Sequence, residues 1–269
     1  ISGVTVYLEN LLEALSKDKN NHYSLFCNSY KKKSFKKWEE LFEITHTNFP
    51  NKVFNLSLRS GAPKIDKLTK KKVDIFLCPD LRPSALSKGV KKIQVLHDFS
   101  WLHYAHFFSL KTRLWFKMLN PRAEILKSDH VVTVSKSTKK ELEERYKNAP
   151  KSTHISPFLR AEDKGIAKKE RNLFFYVGTL EPRKNIWKML EAFHILKKKH
   201  RNAELHIAGE KDEKVFGNIE HQEQEGVKWL GKITEKEKTS CLKKVQALIY
   251  VSEYEGFGLP VAESILNQT

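Results

Sequence analysis

Arg183 and Lys184 are adjacent cations in the segment GTLEPRKN, which follows the apolar run Leu173–Val177 (LFFYV) and precedes a helical pattern. Pro182 stops a helix from propagating through this segment, and Asn185 is suited to cap the helix that follows. Two cations beside the free N–H groups of a helix N-terminus make a good binding site for a diphosphate. A surface loop with two solvated cations is the alternative, and spacing alone leaves it open.

A second loop, EYEGFGLPVAES, places two carboxylates and two glycines after the apolar run Ala247–Val251. Gly256 and Gly258 allow the backbone to approach a ligand closely. Glu255 and Glu263 can accept hydrogen bonds from hydroxyl groups. With the cations of the first loop, this set is typical of a site for a polyhydroxylated ligand with a diphosphate, a nucleotide sugar. The alternative for Glu263 is a first-turn acid that complements a helix dipole.

A third segment begins with His97-Asp98 after a short apolar run and continues into the aromatic-rich stretch Phe99–Phe108. Aromatic side chains stack on sugar faces and on apolar tails, so this stretch is suited to a wall that faces a substrate. Asp98 is interpreted as orienting His97 or capping the next segment. Because no H-x-x-x-H helix or cysteine partner supports a cluster of His97, His103 and His106, we expect no metal site there.

Short strand-like runs alternate with helical patterns along the whole chain. The expected strands are His22–Cys27, Val73–Cys78, Ile93–Leu96, His130–Val134, Leu173–Val177, Glu204–Ala208, Val227–Leu230 and Ala247–Val251, and the expected helices are 4–16, 111–127, 136–146, 186–199 and 234–244. This alternation predicts βαβ units with parallel sheets, whose ligands bind beyond the carboxyl ends of the strands. A stretch without clear periodicity, Ser156–Lys169, is the expected link between two Rossmann-like domains.

The composition excludes several classes of protein. A chain of 269 residues with 40% hydrophobic residues predicts two folded domains and excludes global disorder. No apolar run is long enough for a membrane-spanning helix, and no signal peptide opens the chain. Three dispersed cysteines exclude a disulfide framework and favour a reducing compartment.

The net charge of +17 is concentrated in the first part of the chain. Residues 1–160 carry 30 basic against 15 acidic side chains, whereas residues 161–269 carry 19 against 17. An acid-poor surface attracts anionic lipid, nucleic acid or an acidic substrate, but a solvated surface without a partner is an equal alternative. No nucleic-acid-binding signature is present, and the basic run Lys31–Trp38 (KKKSFKKW) is compatible with an anionic bilayer.

These segments together resemble glycosyltransferase family 4, the group 1 retaining glycosyltransferases of the GT-B fold. SGVTVYLENLLEAL resembles the family's first loop and helix, VLHDFSWLHY its acceptor-side segment, HVVTVSKSTKKEL the end of its first domain and YVGTLEPRKNIWKMLEAF its phosphate loop. EYEGFGLPVAES matches the E-x7-E motif, with Glu255 and Glu263 eight positions apart. The resemblance is colinear over nearly the whole chain.

The resemblance implies an α/β fold with two Rossmann-like domains that face an interdomain cleft. Residues 1–158 would form the acceptor-side domain and residues 159–269 the nucleotide-sugar-binding domain. Both domains are expected to be truncated at their outer ends, since no strand precedes Ile1 and the chain stops at Thr269 soon after a new helical pattern begins. We therefore expect the chain to be a fragment, and the sequence leaves open whether this fragment is itself active.

The resemblance also implies roles for individual residues. His97 and Glu255 would be catalytic, with His97 against the donor sugar and the acceptor and Glu255 on the sugar hydroxyls. Glu263 would contact the ribose. The other implied donor-binding residues are Gly3, Arg183, Lys184, Gly256, Phe257, Gly258 and Leu259.

The implied activity is metal-independent transfer of a hexose, with mannose as the favoured sugar, from a nucleotide-diphosphate sugar to a glycan or lipid-linked acceptor during cell-surface polysaccharide synthesis. The anomeric configuration of the transferred sugar is expected to be retained. The nucleotide sugar is a co-substrate, so no cofactor is expected. The expected location is the cytoplasm, with peripheral contact to the inner face of the membrane as a further expectation. The competing hypothesis is a non-catalytic basic protein on the same fold that binds a membrane or a polyanion.

Overall fold

A computed structural model describes residues 3–30, 35–159, 168–210 and 224–269. The chain forms two compact units, and each unit consists of more than one segment of the sequence. Unit 1 comprises Ile1–Val6, Asp98–Arg113 and Pro157–Thr269, and unit 2 comprises Tyr7–His97 and Leu114–Ser156. The domain boundary between residues 158 and 159 stays a prediction.

Unit 1 is built on a four-stranded parallel sheet with the order β10-β7-β8-β9. Its elements are β7 (Glu170–Val177), α9 (Ile186–Lys199), β8 (Glu204–Ala208), β9 (Val227–Gly231), α10 (Glu235–Lys244), β10 (Val245–Leu248) and α11 (Leu259–Leu266), together with a one-turn 3-10 helix at Pro182–Lys184 and α5 (Ser100–His103).

The part of β7 from residue 173 to residue 177 (LFFYV) is apolar on both faces because helices cover both sides of the sheet. Phe175 packs with Leu242 of α10 on one face, and both are fully or almost fully buried. Tyr176 packs on the other face with a stripe of α9, which presents Ile186, Met189, Leu190 and Phe193 at helical spacing. This double cover explains why β7 reads as a continuous hydrophobic run rather than an alternating one.

Unit 2 contains a four-stranded parallel sheet with the order β3-β4-β5-β6 and a separate parallel pair, β1-β2. The strands are β1 (Ser24–Asn28), β2 (Glu43–Thr47), β3 (Ile75–Cys78), β4 (Lys91–Leu96), β5 (His130–Thr133) and β6 (Lys151–His154). The helices are α2 (Lys36–Glu39), α3 (Asn51–Ser60), α4 (Ile65–Leu68), α7 (Pro121–Leu126) and α8 (Lys136–Arg145). The long helices α1 (Gly3–Leu15) and α6 (Leu110–Leu119) each begin in unit 1 and continue into unit 2.

The predicted α/β class with parallel sheets is confirmed, and so is the cap of α8, where the Ser135 hydroxyl accepts a hydrogen bond from Thr138 N–H at 3.0 Å. The single helix predicted over 111–127 is wrong, because Asn120 adopts a left-handed conformation (φ 50°) and Pro121 starts a new helix. The strand predicted over 247–251 begins two residues earlier and ends at Leu248. Among the described residues, no helix is both long and apolar enough to cross a membrane.

Candidate functional site

The strand order of unit 1 reverses at one place. From β7 the chain passes through α9 to β8 and then β9 on one side, and α10 returns it to β10 on the other side of β7. The reversal lies between β7 and β10, and in open parallel sheets the crevice beyond the carboxyl ends of two such strands is the usual ligand site. The two loops that follow these strands are those singled out in the sequence.

Backbone groups tie the two loops together. Nη1 of Arg183 donates a hydrogen bond to the carbonyl of Tyr254 at 2.7 Å, and the N–H of Glu253 donates to the carbonyl of Arg183 at 2.9 Å. The side-chain amide of Asn185 donates to the carbonyl of Val251 at 3.2 Å. These hydrogen bonds therefore hold the cations of the first loop beside the carboxylate of the second loop.

The two cations are buried within this arrangement. Nη2 of Arg183 pairs with Glu181 at 2.7 Å, Nη1 lies 3.6 Å from Glu255, and Nζ of Lys184 forms an ion pair with Glu255. The side chains of Arg183 and Lys184 are 14% and 9% exposed. The alternative of two solvated cations on a surface loop is therefore wrong.

The charges of the cluster shift the pKa values of its carboxyl groups. Burial alone raises the pKa of the Glu255 carboxyl, but Lys184 and Arg183 outweigh burial and hold that pKa below its ordinary value. For Glu181 burial prevails over Arg183 and Lys184, so its pKa is raised. The site thus favours the ionised form of Glu255 more strongly than that of Glu181.

Both helices that start at this crevice lack a side-chain cap. Asn185 occupies the predicted N-cap position of α9, in a left-handed conformation (φ 54°), but its side chain donates to the carbonyl of Val251 and makes no capping hydrogen bond to the helix. Gly258, with φ 82°, occupies the N-cap position of α11 without a side-chain bond. Uncapped N-termini present backbone N–H groups and a positive dipole end, which suit a phosphate.

The carboxyl ends of β7 and β8 lie very close together. A Cβ atom built on Gly209 would lie 1.9 Å from the carbonyl oxygen of Gly178. The N–H of Gly178 also donates to the carbonyl of Ala208 at 3.0 Å. Only glycine fits at position 209, and this close approach sets the path of the chain into the first loop.

Glu263 is the fifth residue of α11, and the first turn of that helix contains no acidic residue. The alternative of a first-turn acid is therefore wrong. Its Oε1 accepts a hydrogen bond from Nζ of Lys238 at 2.8 Å. Sequence reasoning missed Lys238, which is one of four lysines in α10, and only its packing distinguishes it from the others.

The segment after His97 packs in unit 1 against the second loop. Oδ1 of Asp98 accepts hydrogen bonds from the N–H and the hydroxyl of Ser100, the first residue of α5, at 2.8 and 2.6 Å, although Phe99 occupies the N-cap position of that helix. The Phe99 N–H donates to the Tyr254 hydroxyl at 3.0 Å, and the His103 ring lies 5.2 Å from the Tyr254 ring. The aromatic stretch thus lies beside the loop that carries Glu255.

The remaining predicted residues lie in both units. In unit 1, a Cβ on Gly3 would lie 3.3 Å from Cδ1 of Leu259, the first residue of α11. In unit 2, Nε2 of His97 lies 2.8 Å from the carbonyl of Pro79. Because a carbonyl only accepts, this contact places the proton on Nε2 and leaves Nδ1 of a neutral ring as an acceptor. The Tyr7 ring meets the His97 ring edge-on at 5.1 Å.

Phe257 lies between Gly256 and Gly258 in the second loop, where Gly256 is buried and the other two are half-buried. In unit 1 the structure thus brings together Arg183, Lys184 and Glu255, with Gly256, Phe257, Gly258 and Leu259 leading from Glu255 into α11. His97 belongs to unit 2. No group of three or more His, Cys, Asp or Glu residues that could hold a metal ion occurs in the described ranges.

Comparison with protein families identifies the class. Residues 1–160 match the family model "Glycosyltransferase Family 4", and residues 159–269 match "Glycosyl transferases group 1". The chain belongs to glycosyltransferase family 4. The resemblance inferred from the sequence is confirmed.

Curated relatives match a shorter part of the chain. O-antigen chain mannosyltransferase B of Escherichia coli is 33% identical over 95 residues, which is 34% of this chain and 25% of that protein. Serotype-specific mannosyltransferase WbdA of Escherichia coli is 33% identical over 96 residues, which is 34% of this chain and 12% of that protein. The matches thus span a quarter or less of these relatives.

Solved structures support the fold. The lipopolysaccharide outer core galactosyltransferase WaaB in its apo form aligns with 99% of this chain and 75% of its own, with a TM-score of 0.55 and 16% identity. A TarM variant from S. aureus, in complex with fondaparinux, alpha-GlcNAc-glycerol and UDP, aligns with 72% of this chain and 40% of its own, with a TM-score of 0.53 and 16% identity. The GT-B class is therefore confirmed.

Proposed function

We propose that the protein transfers a hexose from a nucleotide-diphosphate sugar to a glycan or lipid-linked acceptor with retention of configuration. The observation that carries this proposal is the convergence of buried Arg183, Lys184 and Glu255 at the strand-order reversal of unit 1. Family membership supports the same class of reaction. Mannose and cell-surface polysaccharide are the favoured sugar and product, because the curated relatives are named as mannosyltransferases, one of them of O-antigen chains.

In this proposal Arg183 and Lys184 stabilise the charge that develops on the departing diphosphate. A lysine ammonium has three N–H donors, and the contacts of Lys184 with Glu255 and the Tyr250 hydroxyl engage two of them. The third is available to a phosphate oxygen. Preorganised cations in a site shielded from water act strongly on such charge, and they require little reorganisation. The nucleotide sugar is a co-substrate, and the neutralising charge comes from these side chains and the two helix N-termini rather than from a metal ion.

Glu255 accepts hydrogen bonds from the hydroxyls of the donor sugar in this scheme, and Glu263 from the ribose. Gly256, Phe257, Gly258 and Leu259 supply the backbone beside the sugar and phosphates, and Gly3 packs near the phosphates. Since Glu255 is held by two cations, it is a poor candidate for a nucleophile. The acceptor hydroxyl therefore attacks from the face that the diphosphate leaves, with a leaving phosphate oxygen as base, and His97 lies against the donor sugar and acceptor.

The decisive experiment is a thermal-shift panel with UDP-, GDP-, ADP- and dTDP-sugars, followed by a transfer assay with the sugar that stabilises most. We expect one donor to raise the melting temperature and the product to keep the anomeric configuration of the donor by NMR. The transfer should persist in a chelator, since no metal takes part. An inverted product would reject the retaining mechanism, and activity lost in chelator but restored by a divalent metal would reject metal independence.

The second candidate is a non-catalytic protein that uses its basic first part on a membrane or polyanion, and peripheral docking is also compatible with catalysis. Its support is the net charge of +15 over residues 1–160. Of the basic run Lys31–Trp38, residues 31–34 lie outside the described residues, and Lys37 lies 4.5 Å from the centre of the Trp38 ring. Co-sedimentation with liposomes tests it: binding to anionic vesicles alone supports electrostatic docking, and equal binding to neutral vesicles rejects it.

A further inference from the structure

Helix α3 of unit 2 carries apolar side chains on two opposite faces. Phe54 and Leu58 lie in the core of unit 2 and are 5% and 3% exposed. Val53 and Leu56 lie on the other side of the helix and are 63% and 53% exposed. A surface helix usually presents polar residues to water, so neighbouring apolar side chains on its outer face indicate an interaction surface.

A third exposed apolar side chain precedes the helix. Phe49 is 47% exposed, and its ring stacks on the buried ring of Phe54 with 5.4 Å between the centroids. The side chain of Asn28 fixes its backbone, because it donates to the Phe49 carbonyl and accepts from the Phe49 N–H, each at 3.0 Å. The start of α3 is therefore firmly held, and little conformational freedom would be lost when its outer side chains become buried in a partner.

The surroundings of α3 carry positive charge and almost no exposed negative charge. Residues 44–73, all of them described, contain seven Lys or Arg side chains and one acidic residue, Asp66. Asp66 is only 8% exposed, and its carboxylate accepts a hydrogen bond from a backbone N–H at 2.8 Å. Lys52 and Arg59 lie four positions before and three positions after Leu56, and both are exposed. Neither of them forms an ion pair with a described residue.

We propose that the outer face of α3, formed by Val53, Leu56, Lys52 and Arg59, docks on an anionic lipid bilayer. The apolar side chains enter the boundary between headgroups and acyl chains, and the two cations lie among the lipid phosphates. The inference rests on the peripheral docking included in the proposed function and assigns it to a surface. It does not depend on sugar transfer, so a failed donor assay and a failed vesicle assay are separate results.

The composition of this face favours a bilayer over other partners. Two copies of the chain paired through α3 would place like charges against each other, which opposes association. A nucleic acid or another polyanion would bind the cations, but it offers no apolar environment to Val53 and Leu56. An anionic bilayer supplies both phosphates and acyl chains, and it therefore matches both kinds of side chain.

The described part of the basic run Lys31–Trp38 is a weaker candidate for the same contact. Nζ of Lys37 lies 3.2 Å from a glutamate carboxylate of α1, so its charge is already paired. Glu39 and Glu40 follow the run directly, and both are exposed. An anionic surface would repel these two carboxylates. Lys36 and Lys37 therefore provide a matched control for the cations of α3.

The first measurement tests the apolar side chains. Co-sedimentation gives the partition coefficient of the full chain on vesicles of phosphatidylcholine alone and on vesicles with equal parts of phosphatidylcholine and phosphatidylglycerol. The wild-type protein should bind the anionic vesicles only. V53S and L56S should each lower that partition coefficient about fivefold or more, because less apolar surface leaves water. The matched control I155S should not change it, since Ile155 lies in unit 2 and is 52% exposed.

The second measurement varies the salt concentration to separate charge from apolar burial. K52Q/R59Q should lower the partition coefficient at low salt by about fivefold for each charge removed, and binding should then depend less on salt. The two apolar variants should lower it by the same factor at every salt concentration. K36Q/K37Q removes the same number of charges and should have a clearly smaller effect.

Several results would overturn the proposal. Wild-type protein that binds both vesicles equally, or neither, rejects docking on an anionic bilayer. Wild-type binding in V53S and L56S with a loss in K52Q/R59Q indicates a polyanion site that acts by charge alone. A larger loss in K36Q/K37Q places the contact on α2. A lipid-free dimer that L56S dissociates in sedimentation velocity assigns the face to a second copy.

Folding of the variants is checked by their melting curves. The substituted side chains are exposed, so the melting temperatures should match that of the wild-type protein. If one of the apolar variants does not fold, the other still tests the apolar contact, and K52Q/R59Q tests the charges independently of both.

Discussion

The hydroxyl oxygen of Tyr254 lies 3.0 Å from the backbone nitrogen of Phe99 and accepts its hydrogen bond. Phe99 is fully buried, so its N–H has no access to water. The carbonyl of Tyr254 in turn accepts a hydrogen bond from Arg183. One tyrosine, next to Glu255, thus connects the aromatic stretch, the second loop and the cation-bearing loop within unit 1.

Replacing Tyr254 with Phe should therefore destabilise the protein. The change leaves the buried N–H of Phe99 without this acceptor, which costs about 1–3 kcal/mol of unfolding free energy. Chemical denaturation measures the loss. The matched control is Y30F, because Tyr30 is 70% exposed and its hydroxyl can bond water. Equal stability of the two variants would show that the contact between Tyr254 and Phe99 contributes nothing.

Substitution of Lys184 with Ala should reduce turnover far more than it changes the fold. Loss of one preorganised group that stabilises charge in the transition state typically lowers kcat by about 10²–10³-fold. The control is K188A on the next turn, since Lys188 is 72% exposed and lies 3.7 Å from Glu253. Steady-state kinetics with the donor identified in the thermal-shift panel makes the comparison.

Near-normal turnover of K184A would remove Lys184 from the diphosphate site. The variant E255A provides an independent check of the same cluster, because Glu255 pairs with Lys184. Unchanged use of the donor by E255A would remove Glu255 from the sugar site while leaving the phosphate assignment standing.

The two loops were predictable because their signals are local. An apolar run followed by Gly178 or Gly256, and then by Pro182 or Pro260, indicates a strand, a loop and a helix start within a dozen residues. The central strand β7 was recognised for the same reason, since burial on both faces leaves an unbroken apolar run. Family motifs added residue roles that spacing could not supply.

Other features depend on packing that no local pattern encodes. Strands β2 (EITHT) and β6 (KSTH) are mostly polar and were not predicted, because pairing with a neighbouring strand rather than an apolar run defines them. Lys238 and Glu263 are 25 positions apart, and the lysines of α10 look alike in sequence. The order of the strands, which decides where the two loops meet, is likewise a property of the assembled sheet.

Substitution of Gly209 with Ala should severely destabilise unit 1. The new Cβ would overlap the carbonyl oxygen of Gly178, and neither backbone can move without disturbing the ends of β7 and β8. Overpacking of this kind costs about 3 kcal/mol or more. The control G89A adds only the strain of a positive φ of 96°, about 1–2 kcal/mol, because no atom lies within 4 Å of the new Cβ. Thermal melting of both variants should therefore rank G209A well below G89A, and the reverse order would contradict the close approach.

The strongest test of the core of unit 2 concerns Lys92 and Glu124, whose side chains are both 5% exposed and whose charged groups lie 2.8 Å apart. The variant K92M leaves a carboxylate buried without its cation, which should cost about 3–5 kcal/mol of unfolding free energy. Its neighbour offers a matched control: Lys91 pairs with Asp129 at the same distance but is 67% exposed. K91M should cost far less than K92M, because water screens that pair. The double variant K92M/E124L should recover much of the stability lost in K92M, since removing both charges leaves none unpaired. Urea denaturation of the three variants decides the matter, and a K92M variant as stable as K91M would show that Glu124 is compensated by some group other than Lys92.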